Sequence, residues 1–466
     1  MSTTSNICYC FIDRGGQLLC LWLRECFIQP SSPNDSLMSS VIDYLPSKMS
    51  QFLYLVLLVL GLHGAIQCVP PNRPEGKVTI CHSPQQNSTL SKMASINADF
   101  AFNLYRRFLE ETPDRNIFFS PVSISAALAM LSFGACSRTQ TQILEVLGFN
   151  LTDTPMAELQ QGFQHLICSL NFPKTELELQ MGNALFIWKQ LKPLAKFLDD
   201  VKTLYETEVF STDFSSVSSA QQEINSHMEK QSKGRIVGLI QDLKPNTIMV
   251  LVNYIYFKAQ WANPFDPSKT QGSSNFLVDK TTIVQVPMMH QMEQYYHLVD
   301  VELNCTVLQM DYSKNALALF VLPKEGHMEW LEAAMSSKTL KKWNRLLHKG
   351  WVDLFVPKFS ISATYDLGAM LLKMGIQDAF SEIADFSGLT EDNGLKLSNV
   401  AHKAVLHIGE KGTKDVSVPE VRIPDQPEMT LLHPIVQFDR SFLMMILEKS
   451  TRSILFLGKV VNPTEM

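Results

Sequence analysis

The sequence predicts an α+β protein in which one large domain occupies the chain from Ser95 onward. Three observations lead there. Helical and strand patterns alternate over residues 95–466 with no Gly-, Pro- or Ser-rich linker long enough to divide domains. The chain ends in two apolar runs, 442–447 and 454–461, joined by the polar residues 448–453; this reads as a hairpin too apolar to have a wet face, so it belongs to a buried sheet. With 45% hydrophobic and 18% charged residues, the 466-residue chain has material for a deep core and is not of disordered composition. Length alone admits two to four domains, and the missing linker favours one.

The elements follow in order. Residues 95–109 place Ile96, Phe100, Phe102, Leu104 and Phe108 on a helical repeat behind a Ser/Asn start, predicting an amphipathic helix. Residues 116–121 form a short strand ending in Ser-Pro. Proline costs nothing in the first turn of a helix, so residues 122–133, rich in Ala, Leu and Met, are predicted as a helix buried nearly all round. Runs of β-branched, aromatic and aliphatic residues predict strands at 177–188, 247–257, 306–311 and 316–322. Helices are predicted at 220–239 and 328–348.

The longest apolar stretch, residues 52–62 (FLYLVLLVLGL), is 11 residues long, short of the roughly 18–20 a membrane span needs and right for a secretory signal. Met49 is read as the start and Cys68 as the last signal residue, with residues 1–48 an upstream extension of doubtful expression and 69–94 an N-terminal segment. The rival reading is an anchored N-terminus. Asn-x-Ser/Thr acceptors at Asn87, Asn150 and Asn304 support a secreted, extracellular glycoprotein, although Asn304 lies among apolar, strand-like residues. The nine cysteines have no zinc or thioredoxin-type spacing, which suggests scattered thiols or an occasional bridge. A formal charge of −6 argues against wholesale binding to nucleic acid.

Familiar catalytic signatures are missing: no GxxxxGK[ST] loop, HExxH, GxSxG elbow or close His/Cys cluster. The chain is therefore read as a non-enzyme without cofactor or metal.

The segments Asn116-Ile117-Phe118-Phe119-Ser120-Pro121-Val122-Ser123-Ile124-Ser125, Leu251-Val252-Asn253 through Phe257-Lys258-Ala259-Gln260-Trp261, Val356-Pro357-Lys358-Phe359, Met374-Gly375-Ile376, Ala384-Asp385-Phe386-Ser387 and Phe456-Leu457-Gly458-Lys459-Val460-Val461-Asn462-Pro463 resemble the serpin family, in the right order and spacing over residues 95–466. The resemblance implies a serpin fold of about nine helices around three β-sheets, with an exposed reactive loop near the C-terminus. Most of these residues are core and turn positions that identify a scaffold, so activity must be read elsewhere.

Inhibitory serpins trap a serine protease by inserting the cleaved loop as a new central strand. The hinge this requires is matched by Glu410-Lys411-Gly412-Thr413, but Lys414, Asp415, Val416, Ser417, Val418, Pro419 and Glu420 replace the alanine-rich run inhibitors prefer. If Thr413 points inward, Asp415, Ser417 and Pro419 follow it to the buried side. A buried carboxylate costs several kcal/mol or a proton, and Pro419 has no N–H for a central sheet. Entry is permitted and completion opposed. A non-inhibitory role is thus favoured over protease inhibition by loop insertion, and proteases remain as agents that cleave the loop.

Within the family the chain looks most like the blood carriers of thyroid hormone, which implies thyroxine and triiodothyronine as ligands of a monomer. That resemblance places the site between the first helix, the helix after Met328 and strands of the small buried sheet. Ser337, Leu340, Lys341 and Asn344 share one helical face by their i, i+3, i+4, i+7 spacing. By the same resemblance Ala94 and Ser95 contribute from the first helix, Gln309 and Leu317 from two strands, and Leu447, Lys449 and Arg452 from the terminal hairpin. Leu317, Leu340 and Leu447 suit an apolar slot for iodinated rings; Lys341, Asn344, Lys449 and Arg452 suit a rim for the carboxylate. Lys449 stands where the carriers have Arg and Ala94 where they have Ser. Lysine keeps the charge and loses planar stacking.

Overall fold

The computed structural model describes residues 7–12, 18–23, 86–150, 154–170, 177–413 and 433–465. The chain divides into two compact units, residues 1–67 and 68–466. In the first, β1 (Ile7–Ile12) pairs antiparallel with β2 (Leu18–Leu23). The predicted signal at 49–68 lies outside the described residues.

The second unit holds nine α-helices among its described residues: α1 (Gln86–Glu111), α2 (Pro121–Gly134), α3 (Ser137–Val146), α4 (Met156–Leu170), α5 (Ala195–Tyr205), α6 (Val217–Gln231), α7 (Met328–Ala334), α8 (Ser337–Leu346) and α9 (Gly368–Met374). Helix α2 behaves as its sequence demands. Ser120 caps it by accepting from the Ser123 amide at 3.3 Å, Pro121 opens it, and nearly every residue is buried.

One sheet has five strands in the order β12 (Phe359–Asp366), β13 (Asn399–Ile408), β6 (Met249–Ala259), β4 (Leu177–Trp188) and β5 (Glu208–Thr212). The other has nine. Its main path is β14 (Ile435–Gln437), β11 (His348–Pro357), β8 (Ile283–Asp300), β9 (Cys305–Asp311), β10 (Ala316–Pro323), β15 (Phe442–Glu448), β16 (Ile454–Val460) and β3 (Ile117–Phe119), while β7 (Gln271–Leu277) also pairs with β8. The 18-residue β8 carries hydrogen bonding from the β7, β11 and β14 half into the β9, β10, β15, β16 and β3 half, so two of the three expected sheets are continuous. Every residue of β10, β15 and β16 is buried, as the apolar terminal hairpin predicts.

Three predicted helices differ most from those that form. Helix α1 starts at Gln86, because residues 85–94 contain no proline or glycine to stop it. Helix α6 ends at Gln231, where Lys233 (φ 55°) and Gly234 (φ 80°) turn the chain left-handed. The predicted helix 328–348 is two helices, since the extended Ser336 accepts from the Thr339 amide and caps α8 afresh.

Strands β6 and β13 are direct parallel neighbours, Asn399 opposite Val250 through Val405 opposite Tyr256, so no strand lies between them. Beneath this seam His402, fully buried, accepts the Ser120 amide at Nε2 (3.1 Å) and donates from Nδ1 to Asn253 Oδ1 (2.6 Å). Asn253 in turn donates to Ser123 Oγ and Asn183 Oδ1. Burial lowers the His402 pKa to about 3. The unfolded chain therefore takes up this proton below about pH 6.5 and the folded one does not, so the contribution is fully present above that pH and is lost as pH falls toward 3. Between pH 6.5 and 5, wild type is expected to lose up to about 2 kcal/mol more than His402→Gln in urea unfolding. Equal losses would show that His402 is not responsible.

Candidate functional site

The sequence-predicted residues lie on α1, α8, strands β9, β10 and β15, and the turn between β15 and β16. Leu317 pairs directly with Leu447, and Gln309 with Leu319 two residues along. By strand alternation Gln309, Leu317 and Leu447 lie on one face of three consecutive strands. Leu317 and Leu447 are buried; Gln309 is half-buried and donates to Asp311 Oδ1 at 3.0 Å.

Helix α8 is held from both sides. Its amphipathic spacing buries Trp343, whose indole donates to Asp300 Oδ2 at 2.8 Å, while Lys342 Nζ lies 2.9 Å from the same carboxylate. Burial raises the Asp300 pKa, but the Lys342 and Trp343 hydrogen bonds outweigh it and the net shift is downward. On the other side Ser337 donates through its amide (3.0 Å) and hydroxyl (2.9 Å) to the Asp99 carboxylate of α1. Arg106 adds a bond to the Met335 carbonyl at 2.7 Å, and Tyr105 one to Glu332 at 2.7 Å. Ser337 is thus buried and committed to positioning the helix. Leu340 is half-buried, and Lys341 and Asn344 are exposed on the same face. Lys341 Nζ reaches across to Ser95 Oγ at 2.9 Å, joining two of the predicted residues between α8 and α1.

The hairpin turn that carries Lys449 and Arg452 is organised by Glu448, nine-tenths buried. Its carboxylate accepts from Asn315, Ser450 Oγ and the amide and hydroxyl of Thr451. Arg452 has φ 62° and an exposed side chain, and its amide donates to the Glu448 carbonyl. Lys449 Nζ lies 3.5 Å from Asp311 Oδ1, which partly neutralises it. Ala94 is buried against a small chamber of about 10 Å³, room for one water, that Asn97 and Ser453 also line.

Sequence reasoning missed Asp99, Arg106, Asp311 and Glu448. The first two carried a signal: Ser95, Asp99 and Arg106, separated by four and seven residues, form a polar stripe on an otherwise core-facing helix. Asp311 and Glu448 act through pairings that no local spacing reveals.

The hinge is engaged. Glu410 accepts from Lys358 (3.1 Å) and Thr270 (3.1 Å). Gly412 has φ 111°, and a Cβ there would stand 2.4 Å from the Ala259 carbonyl oxygen, so only glycine fits. Thr413 is buried; its amide donates to the Ala259 carbonyl at 2.7 Å, and its hydroxyl accepts from the Ala259 amide. Asp415 and Pro419 lie outside the described residues.

A family model described as Serpin (serine protease inhibitor) matches residues 95–463. The chain belongs to the serpin family. Among curated serpins, thyroxine-binding globulin of Homo sapiens is 83% identical over 417 residues, covering 90% of this chain and all of the relative. A solved structure of human thyroxine-binding globulin complexed with thyroxine is 84% identical, with TM-score 0.78, covering 81% of this chain and all of that one. A reactive-loop-cleaved human thyroxine-binding globulin is 86% identical, with TM-score 0.67, covering 70% and 96%.

Other sequence-predicted features sit as follows in this serpin. Asn150 is exposed, and Asn304 is half-exposed in the turn between β8 and β9 with φ 49°, outside the strand environment its neighbours suggested. Asn87 lies in α1, its side chain outside the described part. Cys136 and Cys168 are disulfide-bonded and Cys305 is a buried free thiol. Among the described residues no helix is long and apolar enough to cross a membrane, and no group of three or more His, Cys, Asp or Glu gathers to hold a metal.

Replacing Asp99 with Ala is expected to cost about 1–2 kcal/mol in chemical denaturation, because both Ser337 donors lose a charged acceptor. An unchanged midpoint would mean that the contact does not hold α8.

Proposed function

We propose that this serpin is a secreted, non-inhibitory carrier that binds thyroxine and triiodothyronine in the cleft between α1, α8 and the ends of β9, β10 and β15, and transports them in blood plasma. The observation that carries the reading is convergence. Lys341 of α8 bonds Ser95 of α1, Leu317 of β10 pairs with Leu447 of β15, Gln309 of β9 shares their face, and half-buried Lys449 and exposed Arg452 stand in the turn that follows β15. Thyroxine-binding globulin, to which the chain is 83% identical, carries thyroxine in its name. Iodinated rings fit an apolar slot, and a carboxylate favours the basic rim. A larger cavity of about 320 Å³ at the β4 edge is lined by Glu206, Glu208 and His227, carboxylates that would repel an anionic tail.

Because Asp311 draws on Lys449, the ligand carboxylate is assigned chiefly to Arg452 and Lys341, and the Lys341–Ser95 bond opens as the hormone enters. Ala94 and Ser337 support the cleft from behind; neither offers a free polar group to it. Secretion is supported by the 11-residue apolar stretch after Met49 and by the sequons at Asn87, Asn150 and Asn304. We assign residues 1–48 to an upstream extension, 49–68 to the signal, 69–94 to an N-terminal segment and 95–466 to the serpin domain.

Fluorescence or radioligand titration should saturate at one thyroxine per chain, and incubation with serine proteases should leave no SDS-resistant adduct. An adduct without saturable hormone binding would reverse the assignment in favour of an inhibitor. Arg452→Ala should weaken thyroxine by about 10–100-fold, the loss of one charge-assisted contact; equal affinity would remove Arg452 from the rim.

The seated Thr413 also supports coupling between the loop and the cleft. Thr413→Glu, which cannot occupy the pocket beside Ala259, should change thyroxine affinity. No change beyond error would dismiss the coupling.

A further inference from the structure

Strands β8 and β11 pair antiparallel with His297 directly opposite His348. Directly opposed residues project from the same face of a sheet, so the two imidazoles stand side by side. Their ring centroids are 4.6 Å apart with the planes at 51°.

Two further features prepare the pair. A Cβ at Gly350 would come within 2.7 Å of His297 Cε1, so the missing side chain makes room for the ring. His297 Nδ1 lies 3.4 Å from the Tyr295 carbonyl oxygen. A carbonyl only accepts, so Nδ1 carries the proton and the Nε2 lone pair is left available. Metal-bound histidines are commonly oriented this way, by donating the second ring N–H to a carbonyl. His348 is exposed, leaving the pair open to solvent.

We propose that His297 and His348 form a surface site for a divalent transition-metal ion of the imidazole-preferring kind, Zn²⁺, Cu²⁺ or Ni²⁺, with water completing the coordination. Two nitrogens without a third protein ligand make an exchangeable site, in keeping with the absence of any larger ligand cluster among the described residues. Imidazoles without carboxylates do not suit Ca²⁺ or Mg²⁺. A bound ion ties β8 to β11, the strand that directly follows α8, and so stabilises the native state. This site does not depend on the hormone reading.

The test is calorimetric titration of the untagged, full chain with Zn²⁺ and with Cu²⁺, beside Mg²⁺. The wild type should show one saturable site, tighter for Cu²⁺ than for Zn²⁺, and no Mg²⁺ binding there. His348→Ala removes an exposed side chain and keeps the fold, which circular dichroism checks; it should weaken Zn²⁺ at least about tenfold and abolish the Zn²⁺-induced rise in Tm. His297→Asn should do the same. If wild type shows no saturable binding, or if both variants bind Zn²⁺ as wild type does, the proposal is overturned.

Discussion

Two hydrogen bonds from Ser337 to the Asp99 carboxylate hold α8 against α1, and the helical side of the proposed cleft depends on that contact. A helix of ten residues has little stability of its own and takes its position from what it packs on. Trp343 and Lys342 fasten α8 to Asp300 on the sheet side, so Asp99 and Asp300 fix it from opposite flanks. With the helix fixed, Leu340 packs half-buried against the core, and Lys341 spans to Ser95. The polar groups that build the cleft are largely spent on holding it, and the groups assigned to the ligand are those left exposed at its rim.

The large sheet shows a comparable division between a fixed frame and a poised element. The parallel pairing of β6 and β13 closes the seam, His402 and Asn253 fasten it from below, and Thr413 is hooked onto Ala259 at its top. Insertion beyond Thr413 would have to separate paired strands and bury Asp415, whereas an alanine-rich loop would meet only the first of these costs. Entry residues with a costly continuation suit a loop that adjusts a neighbouring site more than one that captures an enzyme.

Much of this was legible in the sequence. The Ser-Pro start of α2, the buried, mostly apolar β10, β15 and β16, and the shared face of Ser337, Leu340, Lys341 and Asn344 follow from local periodicity and capping. The break between α7 and α8 did not: Ser336 reads as an ordinary helix residue until its hydroxyl is seen to cap Thr339. Ser337 was legible as a member of the face but not as a partner of Asp99, since that pairing joins residues far apart in sequence. The same holds for Asp311 beside Lys449 and for Glu448 under the hairpin turn. Long-range acid–base and hydrogen-bond partners are fixed by topology, and only the polar stripe Ser95, Asp99 and Arg106 announced one in advance.

The central claim is the place of the ligand, and a crystal structure of this chain grown with thyroxine tests it most directly. The account requires the iodinated rings against Leu317, Leu340 and Leu447, the carboxylate within hydrogen-bond distance of Arg452 or Lys341, and the Lys341–Ser95 bond broken. Hormone seated in the Glu206 and Glu208 cavity, or a cleft left unchanged at saturating thyroxine, would contradict it.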